Sequence, residues 1–311
     1  MRSAILRAGL AVALLAGCSP KQPQRSASEY FESATSDYRS GGFARAIEQY
    51  RELIDQHPFS DVADEAELRI AHAYFLTEDY TAAIIALTDF QRRHPTSEHL
   101  PLVGYLLGMC YVRQMTGVDR DQTSAQSAHT YFTTLIHQYP ESPFADLARE
   151  ELKDCRESLA EHELQIAAFY SKRGNEDAAE VRLLSLTSKF GETPTAADAL
   201  LQLARTYARN GNSEHAVLAI RALEALHPDS EEAREARTLV SAEAAAAVPP
   251  TTDPLDLLMI ANGREREGAE FGIPKVPTAS ERTGRSPFGG GGSPTGPAAP
   301  RTDPFGRGST F

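Results

Sequence analysis

ATSDYRSGGFARAIEQYRELIDQHP, residues 34–58, and AHAYFLTEDYTAAIIALTDFQRRHP, residues 71–95, are one pattern written twice. At a displacement of 37 positions Ala34 falls on Ala71, Tyr38 on Phe75, Phe43 on Tyr80, Ala46-Ile47 on Ala83-Ile84 and Pro58 on Pro95. A third copy, ARTYARNGNSEHAVLAIRALEALHP at 204–228, keeps Ala204, Gly211, Ala216-Val217, Leu223 and Pro228 at the same Ala-to-Pro distance of 24. Each copy puts a small residue where one helix must approach another and then a short turn (Gly41-Gly42, Glu78-Asp79, Gly211-Asn212). A second small residue follows at the crossing, and a Pro stops the second helix. The unit is a helical hairpin.

This pattern is similar to tetratricopeptide repeats, whose period is about 34 residues with small residues at the helix contacts. Two degenerate units lie between the clear ones. One is predicted with helices near Leu102 to Met115 and Ser124 to Tyr139, separated by an inserted loop Thr116 to Thr123. The other is predicted with helices near Leu147 to Lys172 and Glu176 to Phe190, turning at Gly174. A lone hairpin cannot bury its apolar face, whereas stacked hairpins build a continuous core. The expectation is an all-α solenoid of about five repeats over residues 28–247, with strand signals nearly absent.

Outside that body the composition changes. Arg2 and Arg7, the apolar run Ala8 to Ala16 and then Leu15-Ala16-Gly17-Cys18 read as a signal peptide over residues 1–17. Its apolar part is under half of the roughly 20 residues that span a bilayer. Leu-Ala-Gly-Cys resembles the lipobox of bacterial lipoproteins, which makes Cys18 the expected lipid anchor, diacylglyceryl and N-acyl, at the head of a short linker, 18–27. An ordinary secreted protein is the alternative. Ser19 favours the outer membrane over retention at the inner one. At the other end, residues 248–311 hold 10 of the 19 Pro and 11 of the 21 Gly, so this stretch is expected to be a disordered tail. Its apolar cluster Leu255 to Ile260 reads either as a docking motif or as a hydrophobic turn capping the last helix.

Charge and chemistry narrow the function. The formal charge is −12; two leader Arg and a tail with seven basic and seven acidic groups leave −14 on residues 19–247. Such a surface repels a phosphate backbone, which argues against nucleic acid. His162-Glu163 opens like a zinc-protease helix, but Ile166 stands where the second His is needed. No phosphate-binding Gly loop, nucleophile-and-base pair or metal-ligand spacing is present, so the chain is expected to be no enzyme and to need no metal and no cofactor beyond the lipid. His57, His94 and His227 precede repeat-ending Pro residues and suit helix C-termini. Cys110 and Cys155 form either a disulfide, allowed in an oxidising compartment, or two small buried apolar side chains.

Asp119-Arg-Asp-Gln-Thr123, Tyr139-Pro-Glu-Ser-Pro-Phe-Ala145, Leu159-Ala-Glu-His-Glu163, Phe169-Tyr170 with Arg173-Gly174, and Ala178-Ala179 with Arg182 are more specific than a generic repeat. In this order, after a lipobox and two hairpins, they resemble the BamD family of outer-membrane protein assembly lipoproteins, over about Cys18 to Asp229. The resemblance implies five repeats and anchorage to the periplasmic face of the outer membrane. It also implies docking to the POTRA region of the β-barrel insertase BamA, with nascent outer-membrane proteins passing through the platform. Other assembly lipoproteins are further candidate partners.

Counting from the small residue of each first helix, Phe31, Thr35 and Tyr38, then Leu68, His72 and Phe75, are candidates to face a substrate groove, with Thr35 and His72 the more exposed-looking. Ordinary packing between helices is the alternative for each. Arg182 takes the position of the family's helix Arg, implying a pair with a carboxylate on the insertase; a surface Arg paired within the protein is its alternative. Residues 119–123 are expected to cap the inserted loop. Glu180-Val181 and the Pro/Gly-rich tail depart from the family pattern. A periplasmic repeat adaptor coordinating cell-wall synthesis or division is the competing functional reading.

Overall fold

The computed structural model describes residues 25–263. The leader, Cys18 and the tail beyond 263 lie outside the described residues. Within them the chain is helical throughout: α1 (Ala27–Arg39), α2 (Phe43–Gln56), α3 (Ala63–Leu76), α4 (Tyr80–Arg93), α5 (Leu100–Val112), α6 (Thr123–Gln138), α7 (Pro143–Lys172), α8 (Glu176–Phe190), α9 (Pro194–Arg209), α10 (Ser213–Leu226), α11 (Glu231–Ala236), α12 (Ala242–Ala247) and α13 (Pro254–Ala261). Two compact units, residues 1–73 and 74–311, divide within α3.

The repeated small residues do what their spacing requires. Ala34, Ala46, Ala71, Ala83, Ala204 and Ala216 are all fully buried. Thirty-seven positions beyond Ala71 the third unit has Gly108, where an added Cβ would lie 2.3 Å from the Phe132 ring. With the Phe132 ring in place, the α5/α6 crossing has no room for Ala at this position.

The turns repeat as faithfully as the contacts. Gly41, Glu78, Gly174 and Gly211 occupy the same hairpin position and all have positive φ, of 86, 62, 73 and 77°. In each turn the next residue's N–H reaches back to the first helix: Gly42 to Asp37, Asp79 to Tyr74, Asn175 to Tyr170 and Asn212 to Tyr207, all within 3.1 Å. This is the left-handed helix stop that satisfies the last carbonyls. Asp79, Asn175 and Asn212 then cap the second helix, accepting from the N–H of Ala82, Ala178 and His215. Glu78 is the only non-Gly residue with positive φ among those described. Glu78→Gly is expected to raise stability by about 0.5–1 kcal/mol, since relief of left-handed strain exceeds the entropy that Gly loses. A urea midpoint that does not rise would contradict this.

In the first unit α1 and α2 form the hairpin, opened by a capping box in which Ser26 and Glu29 satisfy each other's backbone N–H groups. In the second unit α5/α6, α7/α8 and α9/α10 are hairpins that stack in chain order, and the first helices touch in sequence, α5 on α7 and α7 on α9. Helix C-termini are tied by the expected histidines: His57 Nε2 meets the Arg25 carbonyl at 2.9 Å, and His227 Nε2 that of Gly191 at 2.8 Å.

One expectation needs correction. Residues 254–261 are not disordered: α13 packs on α10 and buries Leu255, Leu258 and Met259, so the apolar cluster caps the last hairpin. Arg221 on α10 holds the approach to it, donating to the carbonyls of Ala245, Val248 and Pro249 at 2.5–2.9 Å. Of the two readings left open for Cys110 and Cys155, the structure has the packed one, with no disulfide between them. Both are buried free thiols whose pKa burial pushes up to about 12, leaving them protonated packing residues.

Candidate functional site

In the first unit, the face of α1 carries Phe31 and Thr35 into an open cleft of about 460 Å³ completed by Glu32, Ser36, Arg39 and Arg69. Thr35 is itself buried, its hydroxyl 2.9 Å from that of Tyr50. Burial pushes the Tyr50 phenol above its ordinary pKa, so it stays protonated. Phe31 packs against Tyr50 at 5.7 Å between ring centres and lies under the Arg69 guanidinium at 5.1 Å. Arg69 is held by Glu65, at 2.5 and 3.0 Å. The cleft thus has an aromatic wall and a buried cation already matched by a carboxylate.

The other four groove candidates are packing residues. Tyr38, Leu68 and His72 are fully buried and Phe75 is 8 % exposed. The Tyr38 hydroxyl and His72 Nδ1 share a hydrogen bond of 2.5 Å from α1 to α3, and Phe75 meets Tyr80 at 5.8 Å across the hairpin turn. The apolar stripe of each first helix points into the stack, so counting from its small residue selects core more readily than groove.

In the second unit the inserted loop between α5 and α6 is ordered by its own motif. The Asp121 carboxylate accepts from the Thr123 N–H at 2.6 Å, and hydrogen bonding from the Thr123 side chain and then its N–H lowers the Asp121 pKa. Buried Gln122 donates to the carbonyls of Gly117 and Arg120. The loop is then pinned to α7: His162 Nδ1 lies 2.6 Å from the Val118 carbonyl, and since a carbonyl only accepts, the ring N–H donates. His162, the first residue of the failed protease motif, is a loop anchor. The next residue, Glu163, accepts from Arg182 on α8 at 3.2 Å. Arg182 is therefore paired within the protein, yet its side chain remains 42 % exposed. Close by in sequence, Phe169 and Val181 are exposed apolar residues. A second cleft of about 370 Å³ opens between the end of α7, α8 and α9, with Glu176, Glu180, Arg205 and Arg209 on its walls. Glu180, the departure from the family pattern, accepts from the Tyr207 hydroxyl at 2.8 Å.

Sequence reasoning missed one buried polar cluster. Arg156 is 1 % exposed, bonds Glu192 through Nε, donates to the Lys189 carbonyl at 2.5 Å and lies 3.3 Å from His129 Nε2. Its position, four residues after Leu152 and three before Leu159, was the available signal, because both neighbours are buried on the same face of α7. Burial and the adjacent guanidinium lower the His129 pKa to about 4.

These features define a helical-hairpin repeat protein with open clefts and side-chain latches. Among the described residues no group of three or more His, Cys, Asp or Glu is placed to hold a metal, and no helix is long and apolar enough to cross a membrane. The model of the YfiO family, described as outer membrane lipoprotein, matches residues 23–217, and the chain belongs to that family. Curated relatives named outer membrane protein assembly factor BamD include those of Pasteurella multocida, 27 % identical over 59 % of this chain and 75 % of its own length. That of Vibrio cholerae is 28 % identical over 61 % and 85 %, and that of Caulobacter vibrioides 26 % over 68 % and 72 %. Among solved structures, the tetratricopeptide-repeat protein YrrB aligns at TM-score 0.29 and 18 % identity, over 67 % of this chain and 90 % of its own.

Proposed function

We propose that the chain is a non-catalytic assembly-factor lipoprotein, tethered through acylated Cys18 to the periplasmic face of the outer membrane. There it docks the POTRA-bearing β-barrel insertase and receives nascent outer-membrane proteins. The observation that carries this reading is the family match across residues 23–217, the stretch that holds both clefts' main walls and the His162/Glu163 latch. The Phe31–Thr35 cleft suits side chains of an extended segment, which repeat proteins hold without covalent chemistry. Cys18→Ala is expected to move the protein from the membrane to the soluble periplasmic fraction; continued membrane attachment would contradict the anchor.

Arg182 is assigned to the insertase. One of its nitrogens meets Glu163, and its exposed edge keeps further donors for a carboxylate on the partner. Titrating purified protein with the insertase's periplasmic region, Arg182→Gln is expected to weaken binding about tenfold, the worth of one charge-assisted hydrogen bond. Glu163→Gln, which leaves the cation in place, should not weaken it. Equal effects from the two variants would return Arg182 to a purely internal pair.

A further inference from the structure

Phe59 is 98 % exposed, the most exposed large apolar side chain among the described residues. It sits in the short turn between α2 and α3, just after His57 and Pro58. A scattered surface apolar residue is ordinary, but this one has a particular neighbourhood. His57 Nε2 bonds the backbone carbonyl of Arg25 at 2.9 Å, and the Tyr30 ring packs beside His57. Arg25 lies over Tyr30 at 4.6 Å. The turn is therefore fixed against the point where the chain enters α1. Arg25 follows Cys18 by seven positions, and seven residues span at most about 25 Å in any arrangement.

We infer that the α2/α3 turn is a second membrane contact, in which Phe59 inserts into the lipid interface beside the anchor while Arg25 stays at headgroup level. The inference rests on Cys18 being acylated. An acyl anchor at Cys18 keeps Arg25, and the turn bonded to it, within reach of the bilayer surface. There an unpacked aromatic ring gains by leaving water, and an arginine keeps its charge in the headgroup layer while its stem is covered. Asp61, two residues on, and the acidic body disfavour a strongly anionic surface, so the partner is a zwitterionic lipid interface. Together the anchor and the ring would hold the first hairpin at a fixed end to the membrane, where the anchor alone gives a swivelling tether.

The chain contains no Trp, so Phe59→Trp makes a single-tryptophan reporter, excited selectively over Tyr, at a site with no packing to disturb. The lipidated full-length variant is reconstituted into phosphatidylcholine vesicles with and without brominated acyl chains, and vesicle association is measured by flotation. The expected result is flotation with a blue-shifted emission that brominated chains quench. The same protein carrying Ala44→Trp in place of Phe59→Trp, at the exposed far end of α2, should float equally and show neither effect. Flotation of the Phe59→Trp protein with unshifted, unquenched emission overturns the proposal, as does equal quenching at the two sites. Failure to float at all overturns the acyl anchor as well.

Discussion

Arg156→Ala is expected to lower the unfolding free energy by about 3 kcal/mol, near the lower end for breaking a buried ion pair. The loss has three parts. The Glu192 carboxylate, half exposed, recovers some hydration; the Lys189 carbonyl loses a donor; and the space left among α6, α7 and α8 stays partly unfilled. Arg156→Met should cost less, because its stem keeps the packing. The same cluster makes stability pH-dependent. With a folded-state pKa of about 4, His129 stays neutral in the native protein while the unfolded chain takes up its proton near the ordinary value of about 6.5. Its contribution is therefore full above a pH of about 6.5 and is lost as pH falls towards about 4, amounting to a few kcal/mol at most. His129→Gln should flatten that part of the profile. Urea unfolding followed by circular dichroism at about pH 7.5 and about pH 5, on either side of that ordinary value, measures both effects. A wild-type stability that rises on acidification, or an Arg156→Ala protein as stable as wild type, would contradict the assignment.

Gly108→Ala is expected to cost about 1–3 kcal/mol, although Ala is the better helix former by about 1 kcal/mol. The added methyl would meet three Phe132 ring atoms at 2.3–2.7 Å, and Phe132 is fully buried. Adding Phe132→Leu in the Gly108→Ala background should return part of the lost stability, so that the two changes together cost less than their separate costs combined. Strict additivity would place the strain elsewhere. Gly104→Ala makes a useful contrast, since its methyl would find only ordinary contact with Leu135 at 3.7 Å.

The repeat made most of the fold legible. A displacement of 37 located the buried alanines and the positive-φ turn, because both are imposed by local geometry that each copy must satisfy for itself. Gly108 obeys the same displacement but is hard to recognise, since the inserted loop breaks the alignment before α6 confirms it. The groove was less legible than the helices. Tyr38 and His72 hold groove positions by their place on the repeat, yet a hydrogen bond between residues 34 apart gives no local signal and turns both into core. Thr35 looked exposed and proved buried beneath Phe31's side of the cleft, bonded to Tyr50. Composition misled at the C-terminal end for a different reason: averaging over residues 248–311 hid an eight-residue helix whose Leu255, Leu258 and Met259 supply what α10 lacks. His162 and Glu163 stand out in the sequence only by motif resemblance, and the structure adds a physical reason for them, the first latching the inserted loop and the second α8.

The most direct measurement of the assembly-factor account is capture of the tagged, lipidated protein from its native envelope in mild detergent, with co-purifying proteins identified by mass spectrometry. The account predicts that a POTRA-bearing outer-membrane β-barrel dominates the captured material and that Arg182→Gln reduces it. Recovery of cell-wall synthases or division proteins in its place would contradict the account and leave only a family member with a different task.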